Sequence, residues 1–170
     1  MEMFFNSRLG RCFNKAEIII AVIAFMLMLS VVVLNVGMRY FGATSLLSTE
    51  ELAYLGFTWS TFMAVAYIYR TKGMIAIDFF LELVPRSVQR FVIIAVDMLL
   101  IAANIWLVWL AWQLASGGWV RKTAVLEVPY FWVNLAPLSA FVLMTIYSVI
   151  HLLHSLRGEP DHVPLHETVL

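Results

Sequence analysis

Apolar residues along this chain do not alternate with polar ones; they run on for the thickness of a bilayer, four times over. A hydrocarbon core of about 30 Å asks for about 20 apolar residues at ~1.5 Å per helical residue. The first run extends from Ile18 to Met38, bounded by Glu17 and Arg39; the second extends from Leu52 to Ile68, bounded by Glu51 and, just beyond, Arg70. Asp97 is the one charge in the third, Phe91 to Val120, and the fourth, Val128 to Leu156, carries only His151 and His154. Their Leu, Ile, Val, Phe, Ala and Met content suits lipid-facing helices, whereas membrane strands alternate in polarity over runs of about ten residues. The pattern predicts an all-α polytopic membrane protein with almost no soluble part. One membrane domain covers 1–170, with spans at approximately 16–39, 50–69, 87–116 and 129–155.

The connections are read by the same rule. Before the second run stands Ser48-Thr49-Glu50-Glu51. Ser48 and Glu51 have the spacing of a capping box, in which a hydroxyl and a carboxylate satisfy the free N–H groups of a first helical turn. That is the favoured reading; in the sharper alternative Glu50 or Glu51 contacts a partner subunit or pairs with Arg39. Between the second and third runs, 74–84 is too short and too polar to span. Asp78 and Glu82 are four apart there, on one helical face, among Ile75, Ile77, Phe79, Phe80, Leu81 and Leu83. This predicts a short amphipathic helix lying at the membrane surface, ended by Pro85. Trp106, Trp109 and Trp112 recur every three residues and form one broad aromatic face, read as packing or lipid anchoring before any binding role. Pro137 is expected to kink the fourth span, and the polar tail at approximately 158–170, with Pro160 and Pro164, is expected to be disordered.

Composition agrees with lipid as the solvent: 62% of residues are apolar and 13% charged, about half the charge of an ordinary soluble domain. Charge placement sets the orientation, because basic residues gather on the cytoplasmic side of short loops. With a cytoplasmic N-terminus, Arg8, Arg11, Lys15, Arg70, Lys72, Arg86, Arg90 and Arg157 lie inside, and Arg39, Arg121 and Lys122 lie outside. Both termini are therefore expected in the cytoplasm. The basic lead resembles that of a signal peptide, but the first apolar run is too long and no small-residue cleavage site follows before Arg39, so a retained anchor is expected. Net charge is zero, which gives nucleic acid nothing to bind.

Positive evidence for catalysis is missing. The lone Cys12 excludes an internal disulfide framework, and all four histidines stand at or beyond the end of the last run, away from the facing mid-span positions that haem ligation uses. The sequence holds no phosphate-binding glycine loop and no nucleophile elbow. Self-contained transporters carry repeats and broken helices at mid-bilayer; here the first three spans lack proline, and Gly37 and Gly56 stand near helix ends. A membrane carboxylate invites a functional reading, yet Asp97 near one end of a long helix also fits a headgroup location. The residues favour a scaffold: no enzyme, no cofactor and no metal in this chain.

A resemblance joins these features. Asn35-x-x-x-Arg39-Tyr40, then Ser48-Thr49-Glu50-Glu51-Leu52, then Trp59 and Arg70-x-x-Gly73-x-x-x-x-Asp78, resemble the small membrane subunit of tripartite ATP-independent periplasmic (TRAP) transporters, as do Val128-Pro129 and Pro137. The likeness covers about Asn14 to Leu156, with Ser48 where the family often has tryptophan and Met74 where it often has histidine. It implies a heterodimeric permease in a bacterial inner membrane. A large subunit would hold the substrate and sodium sites, a periplasmic binding protein would deliver an organic acid, and the small subunit would brace the moving partner. Sialic acid is carried as the first candidate cargo, beside C4-dicarboxylates and other sugar acids. Arg39, Glu50, Glu51, Trp59, Arg70, Asp78 and Glu82 become candidates for subunit contact or positioning. The alternatives are a stand-alone homo-oligomeric channel or exporter, which should conduct when purified alone, and a redox or biosynthetic enzyme subunit, which bound haem would reveal.

Overall fold

The computed structural model describes residues 8–41, 47–72 and 86–157. The expected interfacial helix at 74–84, with Asp78 and Glu82, and the expected disordered tail at 158–170 lie outside the described residues. What is described is helical: α1 (Arg8–Tyr40), α2 (Leu47–Lys72), α3 (Arg86–Gly117) and α4 (Phe131–Arg157). Each contains a segment long and apolar enough to cross a membrane: Ala16–Tyr40, Ser48–Thr71, Phe91–Gly117 and Phe131–Leu153. The chain is an all-α, multi-pass membrane protein. The fourth helix runs on through Pro137, which is buried inside it.

The helices pack as a row in which α1 contacts α2, α2 contacts α4, and α4 contacts α3. Cross-links along the row give the directions. Glu17 meets Arg70, and Gly56 lies against Ala24, so α1 and α2 are antiparallel. Asp97 meets His151, and Asn134 reaches Leu114, so α3 and α4 are antiparallel as well. Both chain-terminal ends of the bundle fall together (the terminal end), and the 118–130 connection caps the other (the loop end).

A lipid-solvated bundle gains little from hiding apolar surface, because lipid tails are as apolar as leucine; close backbone approach matters more. The buried apolar side chains show this. Pro137 aside, six of the eight among the described residues are alanines: Ala21, Ala66, Ala111, Ala115, Ala136 and Ala140. Large aliphatic residues such as Ile23, Val33, Leu34 and Leu99 face outward instead. Gly56 extends the same logic, since a Cβ placed there would lie 3.0 Å from the Ala24 carbonyl oxygen and 3.1 Å from Met28 Cβ.

The loop end is an ordered cap. Gly118 begins the connection, and a Cβ there would stand 2.6 Å from the Phe131 amide nitrogen, so no larger residue fits without moving backbone. Arg121 and Thr123 pair with the returning strand of chain through Tyr130 N–H to Arg121 O (2.9 Å) and Thr123 N–H to Val128 O (3.0 Å). Glu127 closes the tip in the left-handed region, at φ 52°. Trp119 stacks on Phe131 with ring centroids 4.3 Å apart.

Candidate functional site

Three polar clusters cross the bundle. At the terminal end, Glu17 of α1 faces Arg70 of α2, with Arg70 Nε 3.3 Å from Glu17 Oε2 and both side chains at 10% exposure or less. Tyr147 of α4 donates its hydroxyl to Glu17 Oε1. The Arg70 guanidinium also lies over the rings of Tyr67 and Tyr147, 5.2 and 5.7 Å from their centroids. A charge inside a bilayer is costly unless paired, and this arrangement pairs cation with carboxylate and screens the cation with two aromatic faces.

The second cluster joins α3 to α4. His151 Nδ1 lies 2.8 and 2.9 Å from the two carboxylate oxygens of Asp97, and Ser155 donates to Asp97 Oδ2 at 3.3 Å. Asp97 is 2% exposed, so its side chain lies inside the bundle against α4. About two helical turns along α3 from it is the third cluster: Tyr69 and Ser148 hydroxyls at 2.6 Å, with Asn104 Nδ2 3.3 Å from the Tyr69 hydroxyl and 3.4 Å from that of Ser148. Asp97 and Asn104 are seven apart on α3, and Ser148, His151 and Ser155 keep a three-four stride on α4. The polar groups therefore occupy the facing seams of two antiparallel helices, as a heptad spacing dictates.

At the loop end Glu51 does work that capping-box spacing did not suggest. The second helix already begins at Leu47, which puts Ser48 inside its first turn. The Glu51 carboxylate reaches away from its own helix and accepts Val125 N–H at 2.8 Å and Leu126 N–H at 2.9 Å. It thereby fastens the α3–α4 connection onto α2. Trp59, about two turns deeper, repeats the link by donating Nε1–H to the Trp132 carbonyl at 3.0 Å. Glu50 and Arg39 are exposed at this end, and Arg39 closes the last turn of α1, where a cation complements the carbonyl end of the helix.

Of the residues chosen from sequence, the structure thus gathers Glu51 and Trp59 on the α2–α4 junction and places Arg70 at the opposite end, inside the chain. Glu17, Tyr69, Asn104, Tyr147, Ser148 and His151 complete the clusters without having been singled out as a set. Their legible signal was the seven-residue spacing of Asp97 and Asn104 opposite the polar stride of α4. The open cavity between α1 and α2, about 260 Å³, is lined by apolar residues such as Ile23, Leu27, Leu52 and Leu55, with Trp59 at its edge. It offers an ion or an organic acid no ligand.

Fold and clusters together define a multi-pass membrane protein of four helices joined by internal polar pairs, with an apolar exterior. The chain belongs to the DctQ-component family of tripartite ATP-independent periplasmic transporters, whose sequence pattern it matches over residues 17–158. This is a family of transporter components, not of enzymes. A protein of Haemophilus influenzae that carries the name TRAP transporter small permease protein is 22% identical over 109 residues. That match takes in 64% of this chain and 66% of the relative's length.

Proposed function

We propose that this chain is the small permease subunit of a sodium-coupled TRAP transporter, bracing a large ion- and substrate-translocating subunit in a bacterial inner membrane. A periplasmic binding protein delivers the cargo, an organic acid with sialic acid as first candidate. Both termini, and with them the terminal end of the bundle, lie in the cytoplasm. The observation that carries the reading is that the buried charged side chains pair with one another within the chain. Glu17, Asp97, Arg70 and His151 are all engaged inside the chain, so the charges that a translocation pathway would present to sodium or a carboxylate serve to hold helices together. A fixed brace needs that rigidity; a carrier needs groups it can offer and release.

Reconstitution tests this. Proteoliposomes holding the large subunit alone should take up binding-protein-delivered sialic acid poorly under an inward sodium gradient, and adding this chain should restore uptake. Full uptake without it would defeat the bracing role. Flux through liposomes holding this chain alone would instead establish the homo-oligomeric channel.

A further inference from the structure

The third helix stands at one end of the row, so one of its faces packs on α4 and the opposite face looks away from the chain. Asp97, Asn104, Ala111 and Ala115 mark the buried side. At 3.6 residues per turn the side opposite them passes through Ala95, Ala102, Trp106 and Gln113, all exposed. Trp106 is 62% exposed, and Leu99 and Trp109 beside it are 68% and 50% exposed.

Depth makes this face unusual. The apolar segment of α3 runs from Phe91 to Gly117, which puts Trp106 within about 3 Å of its midpoint along the helix axis. Tryptophan suits the membrane surface, where its indole N–H finds water or headgroup oxygens. At mid-bilayer lipid tails accept no hydrogen bond, and an unmet donor there is costly. The Trp106 N–H makes no hydrogen bond with another described residue, whereas Gln113, about 13 Å from the midpoint, stands near the end of the apolar segment, where headgroups and water reach its amide. Trp109 packs on Trp106 with centroids 5.3 Å apart, so the indoles form one continuous ledge.

The exposed face of α1 is the internal control. Ile19, Ile23, Met26, Val33 and Leu34 bring no donor to the lipid, and Ser30 among them returns its hydroxyl to the Met26 carbonyl at 2.7 Å. One outward face is finished for lipid and the other is not. Ala95 and Ala102, below the indoles, leave room for a second helix to come close, which is how membrane helices associate.

We propose that the outward face of α3, centred on Trp106, seats a transmembrane helix of the large permease subunit that supplies a hydrogen-bond acceptor to the indole N–H. The identity of that partner rests on the function proposed above; the need for a protein surface there rests on the geometry of α3 alone.

Site-specific photocrosslinking tests it in native membranes. The substitutions Leu99→p-benzoylphenylalanine and Trp109→p-benzoylphenylalanine, made singly and co-expressed with the large subunit, should yield an adduct of this chain with the large subunit. Val33→p-benzoylphenylalanine on α1 should yield none. Capture of the large subunit from Val33 but not from α3 would overturn the assignment of the face and leave the subunit role standing. Lipid adducts alone from both α3 positions would show the face to be lipid-covered, and an adduct of two copies of this chain would show self-association; either overturns the proposal. The unmodified chain is tested in parallel for co-purification with the tagged large subunit, and failure there would bring down the proposed function itself. In the intact pair, Trp106→Ala should lower co-purification several-fold, and Val33→Ala should not.

Discussion

The α1–α2 and α3–α4 hairpins solve one problem by different means. Along α1–α2 the helices meet through shape: Gly56 sits flush on the Ala24 backbone, the cross-helix polar pair among the described residues is Glu17 with Arg70 at the terminal end, and the buried Asn35 side-chain oxygen makes no cross-helix bond. Along α3–α4 they meet through hydrogen bonds, from Asp97–His151–Ser155 at one level through Asn104–Ser148 to Asn134 on the Leu114 carbonyl at 3.0 Å. Shape tolerates a small slide, because one close contact can be exchanged for another. A ladder of polar rungs does not, because a slip of one residue leaves several buried groups unmatched. The lesson is that α3–α4 is the half whose register is specified. It is also the half whose outer face is proposed to meet the large subunit, where a fixed register is of most use.

The largest effect should come from breaking the strongest rung. His151→Ala leaves the Asp97 carboxylate buried with Ser155 as its remaining described donor, and removing one member of a buried pair typically costs about 3 to 5 kcal/mol. Asp97→Leu with His151→Leu removes the charge problem along with the attraction, and should recover most of that loss. Unfolding of the unaltered chain, Asp97→Leu, His151→Leu and the double variant in mixed detergent micelles gives the double-mutant cycle. A double variant as unstable as the His151→Leu single would show that the pair is not what aligns α3 with α4.

A smaller loss is expected on the shape-packed side. In Gly56→Leu the new side chain must enter space where even a Cβ is 3.0 Å from a backbone oxygen, and the neighbour cannot swing away. Overpacking of this kind costs about 1 to 3 kcal/mol. The α1–α2 seam should open while the α3–α4 rungs stay intact, so cysteine pairs placed across each seam should lose crosslinking efficiency only in the first. Equal loss across both seams would mean that the two hairpins are held together in the same way.

How much of this could be read without coordinates follows from the same contrast. Long apolar runs announce themselves, because crossing a bilayer demands unbroken hydrophobicity, and the four helices were legible for that reason. Helix neighbours were not, since lipid and protein select the same apolar side chains and leave no stripe to read; all four helices are coated in Ile, Leu, Val and Phe. Asp97 and Asn104 were visible as rare polar residues, but that their partners are His151 and Ser148 depends on which helix stands beside α3. Glu51 was read as a local cap because its spacing from Ser48 fits one. Its use on Val125 and Leu126, some seventy residues away, depends on the earlier start of α2 and on the cap at the loop end.

The smallest effect sharpens the comparison where the two hairpins join. Trp59→Phe keeps the ring beside α4 and removes the Nε1–H donated to the Trp132 carbonyl. Hydrogen bonds between membrane helices contribute on average about 0.6 kcal/mol, because the separated helices find other partners. The expected loss is of that size, close to the resolution of a micelle unfolding measurement, so amide exchange is the better gauge. The amides of Val125 and Leu126 should stay protected, since they are held by Glu51, and those in the first turn of α4 should exchange several-fold faster. In Glu51→Gln the order should reverse, with faster exchange at Val125 and Leu126 and little change in α4. If both substitutions loosened both sites equally, the junction would be one cooperative unit. The two hairpins would then have to be treated as a single packed body whose difference in seam chemistry has no mechanical consequence.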